Sequence, residues 1–188
     1  MEGTSYLNSR RTLRICLAAA FCLVFACAQA RDAAIVVTES GLYDIDGRTR
    51  FDAEAVRRAL LGMEVRAERR EGEGGLYSVL IAAREGVDII TLYGAETVVR
   101  ADIVSADAAT GGGARIGDPF SAVFSGSDAR YCEPGMEVFS GKAVCLAPGS
   151  DQIALIFGGR GEGPDGMLPE QAALNGWRLE MIIWNAEF

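Results

Sequence analysis

Two cysteines, Cys132 and Cys145, bracket most of the segment YCEPGMEVFSGKAVCLAPGS, residues 131–150. A pair of thiols can hold a metal, cycle between redox states, or close a covalent staple. The chain has no histidine. A zinc site wants about four ligands, mostly cysteine and histidine, so a metal here lacks partners. A redox centre wants the C-x-x-C spacing, which is absent. The expected role is therefore a structural disulfide between Cys132 and Cys145, on either side of what reads as a β-hairpin.

The missing histidine also removes Ser-His-Asp and Cys-His catalysis. Carboxylates remain, since glycoside hydrolysis needs only two acids at a suitable separation. Asp44, Asp46 and Glu133 are the candidates. Nothing marks them, because acids are common in a chain with 26 acidic and 18 basic residues. The DIDG segment, Asp44–Gly47, has the D-x-D-G look of a calcium loop. Its twelfth position is Ala55, where an EF-hand needs glutamate, so a turn is expected. The run GGRGEGPDG, residues 158–166, lacks the Gly-Lys-Ser/Thr ending of a phosphate loop. It also carries Glu162 and Asp165, which repel phosphate. It reads as a long surface loop, with Arg160, Glu162 and Asp165 as candidate ligand contacts. Trp177 and Trp184 could form an aromatic binding patch, although such tryptophans more often pack in a core or at a sheet edge.

These residues must be held by a scaffold. AIVVTE, from Ala34, reads as a first strand. FDAEAVRRALLG carries the clearest helix signal. Asp52 suits the N-cap, Phe51 and Val56 form a hydrophobic staple, and Gly62 supplies the stop. MEVRAERR alternates Met63, Val65 and Ala67 against Glu64, Arg66 and Glu68, the pattern of a half-exposed strand. LYSVLIAA, VDIITLYG and ETVVRADIVSAD continue as strands, and ATGGGARIG is a glycine-rich loop. A second series begins at DPFSAVF, where Asp118 and Pro119 suit the N-cap and N1 positions of a helix. GMEVFSGKAVCLAP reads as two strands joined at Ser140–Gly141, DQIALIFGG as another. PEQAALNG, from Pro169, reads as a short helix, and WRLEMIIWNA as the last strand.

GMEV occurs at Gly62–Val65 and at Gly135–Val138, and IITLYG echoes IALIFG, which suggests a tandem pseudo-repeat. The links between strands are too short for parallel crossovers. The fold class is α+β: mostly antiparallel sheet with short helices packed on one face. Residues 31–188 are expected to form a single mature domain, with candidate lobes 31–108 and 114–188.

Residues 1–30 read as a secretory signal. Arg10, Arg11 and Arg14 form a basic region, followed by an apolar run and an A-x-A end at Ala28–Gln29–Ala30. The run is shorter than the ~20 residues a membrane-spanning helix needs. Cleavage after Ala30 would leave a soluble chain. Cleavage before Cys27, at the loose lipobox VFAC, would leave a lipid-anchored cysteine; Phe25 is bulky for that motif. Three of the five cysteines lie in this segment, so a soluble product keeps only the pair. An even count in an exported chain is the usual mark of a disulfide. Losing residues 1–30 removes Glu2 and three arginines and moves the formal charge from −8 to −10. That excludes nucleic acid as a plausible partner. It leaves a lipid anchor as the only expected contact with membrane.

The stretches IGDPFSAVF, CEPGMEVFSGKAVCLAPGSDQIALIFGG, GPDGMLP and WRLEMIIW resemble the YfeY-like family of RpoE-regulated lipoproteins, proteobacterial envelope proteins of unknown function. The resemblance implies an envelope location, periplasm or the inner leaflet of the outer membrane, and a link to envelope stress. It supports pairing of the two cysteines and assigns no catalytic residue. The weak lipobox departs from a lipoprotein pattern. The expectation is a non-enzymatic binding or structural module, with no cofactor or metal, whose partner is an envelope protein or a cell-wall component. The alternatives are a carboxylate-type cell-wall glycan hydrolase and a hydrolase inhibitor.

Overall fold

The structure is a computed structural model that describes residues 35–72, 74–124, 132–160 and 166–184. Eight strands form one sheet in the order β3-β4-β5-β6-β11-β10-β9-β8, and every neighbouring pair is antiparallel. The first four are β3 (Glu64–Gly72), β4 (Gly75–Arg84), β5 (Val87–Gly94) and β6 (Val98–Ile103). The others are β8 (Cys132–Pro134), β9 (Ala143–Leu146), β10 (Ile153–Gly158) and β11 (Arg178–Trp184). Two four-stranded meanders thus run inward from the two edges and meet at β6–β11. Segments 31–108 and 114–188 share this one sheet. A smaller sheet joins β1 (Ile35–Thr38), β2 (Gly41–Leu42) and β7 (Ala108–Thr110), with β1 and β7 parallel.

Strand periodicity decides what is buried. One cross-strand row reads Val65–Ala82–Ile90–Ile103–Ile182–Leu155–Cys145–Cys132 and crosses all eight strands. Every member belongs to the main core. The three described α-helices bury Val56 from α1 (Ala53–Ala59), Phe120 from α2 (Phe120–Val123) and Leu174 from α3 (Gln171–Leu174) in that same core. The helices therefore cover one face, as the sequence suggests.

Helix α1 forms as its sequence dictates. Asp52 Oδ1 accepts the Ala55 amide at 2.8 Å, and Gly62 turns the chain at φ +82°. Two expectations are corrected. Asp118 does not cap α2: its Oδ2 accepts from Arg115 N at 2.8 Å, and Pro119 occupies the cap position. Glu137–Phe139 is a 3-10 turn rather than a strand, with Glu137 at φ +49°. A Cβ on Gly135 would lie 2.1 Å from the Phe139 carbonyl oxygen. That close approach is what folds the segment back on itself.

The pseudo-repeat appears in topology but not in register. Both halves run helix then four strands, with α3 inserted before the last strand of the second. Yet Tyr93 of IITLYG faces the side opposite the core, stacked with Arg100, while Phe157 of IALIFG packs on Phe120 and Phe124 inside it. Ile90, Leu92 and Tyr93 lie on the opposite face from their aligned residues Ala154, Ile156 and Phe157, so the sequence echo is one residue out of structural register.

Candidate functional site

The described residues among those singled out in sequence do not converge on one site. Asp46 closes a turn: its carboxylate accepts from Arg48 N at 2.9 Å and from the Arg48 guanidinium, and the backbone bond foremost holds its pKa below the usual range. Asp44 belongs to the same turn, where its carbonyl oxygen accepts from Thr49 Oγ1. Glu133 is exposed on the edge strand β8. Trp177 and Trp184 are 6% and 3% exposed, so they are core. Their indole N–H groups donate to the carbonyls of Arg160 and Glu39. Arg160 is exposed. Glu162, Asp165 and Cys27 lie outside the described residues, as does the leader, residues 1–30.

Cys132 and Cys145 are directly opposed in the β8–β9 ladder and joined by a disulfide. Both are buried on the core face, at 8% and 0% exposure. A bond so placed closes the hairpin and presents no sulfur to a substrate.

A cleft of about 490 Å³ opens where three turns meet. One wall is the end of β1, Val37–Glu39. The second is the glycine run after β7. There Gly111 N donates to Val37 O at 2.7 Å, and Thr110 and Ala114 close the loop with backbone and hydroxyl bonds of 2.8 and 3.1 Å. The third combines Ala122 and Val123 of α2 with the turn Ala147–Ser150. Ser150 Oγ accepts from Gln152 N and Ile153 N, and Gly149 sits at φ +77°. Each wall is fixed by its own hydrogen bonds, so the cleft is preformed. Its lining is small and apolar apart from hydroxyls, backbone and two carboxylates, Glu39 and Asp118; among the described residues no lysine or arginine lines it. None of Asp44, Asp46, Glu133 or Arg160 borders it.

The second polar assembly spreads over the sheet face opposite the core. Register aligns Glu68–Val79–Tyr93–Arg100 and Arg66–Ile81–Thr91–Asp102. Arg100 grips Asp102 at 2.6 and 3.0 Å and lies 5.1 Å from the Tyr93 ring centre and 6.0 Å from that of Phe139. Arg66 grips Asp88 with two bonds of 2.7 Å, which hold the Asp88 carboxyl below its ordinary range. Burial first, then the Asp102 charge, push the Tyr93 phenol up to about 12. Glu68, Asp88 and Asp102 each have their own arginine, so these three carboxylates are satisfied within the face.

Residues 28–186 match the family described as "Protein of unknown function (DUF1131)". The chain belongs to this family. A relative, the uncharacterized protein YfeY of Escherichia coli (strain K12), is 26% identical over 150 residues, 79% of this chain and 78% of that protein. The crystal structure of E. coli YfeY superimposes with a TM-score of 0.70 at 25% identity, covering 80% of this chain and 99% of that one. DUF1131 carries no assigned chemistry, so the site must be argued from its own geometry. Sequence reasoning missed the cleft because it is assembled from turns remote in the chain. The stretches IGDPFSAVF and CLAPGS, which carried the resemblance, both contribute to it.

Proposed function

We propose that this protein is an exported, non-enzymatic envelope module, tied to envelope stress, that binds an uncharged or amine-bearing cell-wall segment in the cleft between β1, α2 and the Ala147–Ser150 turn. The cleft carries the proposal. Its volume falls within the roughly 300–1,000 Å³ of small-ligand sites. Two carboxylates, with no basic residue among the described lining, favour an amine or hydroxyl over an anion. A carboxylate general acid needs a raised pKa. Every carboxylate shift resolved among the described residues is downward, which weighs against the glycan-hydrolase alternative.

Gly112 tests the cleft. A Cβ there would meet only Thr110 Oγ1, at 3.7 Å, and its φ lies outside the left-handed region, so Gly112→Trp fills the space without backbone strain. Amine-bearing soluble peptidoglycan fragments should raise the unfolding temperature of the parent protein. N-acetylating their amines should weaken that effect, and Gly112→Trp should abolish it without moving the ligand-free midpoint. No shift with any fragment, or equal binding by Gly112→Trp, would defeat the proposal. Intact mass of the exported product decides between a start at Arg31 and lipidation at Cys27.

One observation favours the hydrolase-inhibitor reading as second. Met136 and Val138 are 80% and 85% exposed on the disulfide-closed hairpin, whose loop is tied by Phe139 N to Met136 O and Gly135 N to Lys142 O. A rigid loop presenting apolar side chains suits an enzyme cleft. Inhibition of a cell-wall hydrolase that survives Met136→Glu with Val138→Glu would remove that reading.

A further inference from the structure

We propose that β3 is a homodimerisation edge: two copies of the chain pair antiparallel through β3 about a twofold axis at Ala67 and so continue the sheet.

Among the described residues strand β3 is bonded on one side only, to β4, and its nine residues make it much the longer of the two sheet edges; β8 has three. A long edge is a template for another strand. Natural edges are guarded by charge, and β3 carries Glu64, Arg66, Glu68 and Arg70 on the face opposite the core. The order of those charges separates a guard from an interface. About Ala67, Glu64 faces Arg70 of the second copy and Arg66 faces its Glu68, so every outer-face pair joins opposite signs. Moving the axis to Arg66 sets Arg66 against itself and Glu64 against Glu68. Moving it to Glu68 sets Glu68 against itself and Arg66 against Arg70. Parallel in-register pairing sets like on like throughout. Directly opposed like charges are destabilising and opposite charges stabilising, so the one-residue shifts are rejected; axes at Val65 or Arg69 also join opposite signs but make two such pairs in place of four, which leaves Ala67 the favoured axis.

The side chains present at the edge fit that register. Ala67 is exposed and small, so the axis carries no steric bar. Glu64 is exposed and forms no ion pair among the described residues. Arg70 binds Glu68 through Nε alone, which leaves its terminal nitrogens for Glu64 of the second copy. Pairing over 64–70 is short compared with a standard interface of about 1,600 Å². The dimer is therefore weak, concentration-dependent and loosened by salt.

Sedimentation velocity of the purified protein, across concentration and salt, is the test. The parent chain should show a dimer that grows with concentration and recedes with salt. Glu64→Arg, which places Arg opposite Arg70, and Arg70→Glu, which places Glu opposite Glu64, should each weaken self-association roughly tenfold. An equimolar mixture of the two should associate again, because each then meets its complement. The unfolding midpoint of Glu64→Arg should match the parent, which separates lost pairing from lost fold. A parent chain that stays monomeric at every concentration reached, a dimer indifferent to either variant, or a mixture no stronger than its components would overturn the proposal.

Discussion

The two meanders of the large sheet share a core face and finish the opposite face in different ways. In β3–β6 the strands are nine, ten, eight and six residues long. Their outer face is a lattice of ion pairs, Arg66–Asp88, Arg70–Glu68 and Arg100–Asp102, around the aliphatic Val79 and Ile81. Val79 and Ile81 are 0% and 1% exposed, while the three described α-helices pack on the core side. The stems of long charged side chains can cover apolar neighbours in this way while their heads stay wet. In β8–β11 the strands are three, four, six and seven residues long. There the outer face is Ala154, Ile156 and Ile183, covered by Phe139 folding back from the hairpin. Long strands gain enough ladder to hold themselves; a three-residue edge strand does not, and the disulfide at its base makes up the difference.

The largest effect should follow from removing that staple. Cys145→Ala with Cys132→Ala should lower stability by roughly 3 kcal/mol, the loop-closure value for a ring of about this size, measured by denaturant unfolding. The contrast sharpens under limited proteolysis, where new cuts should appear in residues 135–142 and spare β3–β6. Cuts appearing equally in both halves would show that the staple secures the whole sheet and would dissolve the contrast.

The next effect belongs to the other half. Asp102 keeps 9% of its side-chain exposure beside Arg100 at 34%. Arg100→Ala leaves a largely buried carboxylate without its partner and should cost roughly 1–3 kcal/mol. Replacing both, Arg100→Leu with Asp102→Val, should recover most of that loss, because an apolar pair of similar volume is often neutral or better. A double variant as unstable as the single one would mean that the ion pair itself, and not the cover it provides, finishes this face.

Local signals made much of this legible. Helix α1 needed only Asp52, the Phe51–Val56 staple and Gly62, all within one segment. The alternation of β3 and the cysteine pair were equally local. Other features have no local signal. The β1–β7 pairing joins residues 35–37 to 108–110, and nothing in either segment names its partner. The segment GMEVF has strand-forming side chains, but the contact of Gly135 with the Phe139 carbonyl overrides them. In the outer lattice each arginine or carboxylate reads singly as ordinary surface charge; only register brings Arg100, Asp102 and Tyr93 together. The cleft is hidden for a related reason: three turns remote in the chain and the end of α2 build it, and each turn reads singly as a connection.

The smallest effect is spectroscopic. Tyr93 is folded with its phenol pushed up to about 12, burial being the main cause, against about 10 in an unfolded chain. A phenol whose folded pKa is raised binds its proton more tightly when folded. Its contribution to stability is complete below about pH 10 and disappears as pH rises through the folded value. Phenolate absorbance should therefore show one tyrosine titrating late, and Tyr93→Phe should remove that late step alone. Phe157, the residue aligned with Tyr93 by the sequence echo, has no hydroxyl and lies in the core. The late step thus reports on the outer face of one half only. If it persisted in Tyr93→Phe, the phenol would not be what the Arg100–Asp102 lattice shields, and the division between a charged face and an apolar one would lose its clearest marker.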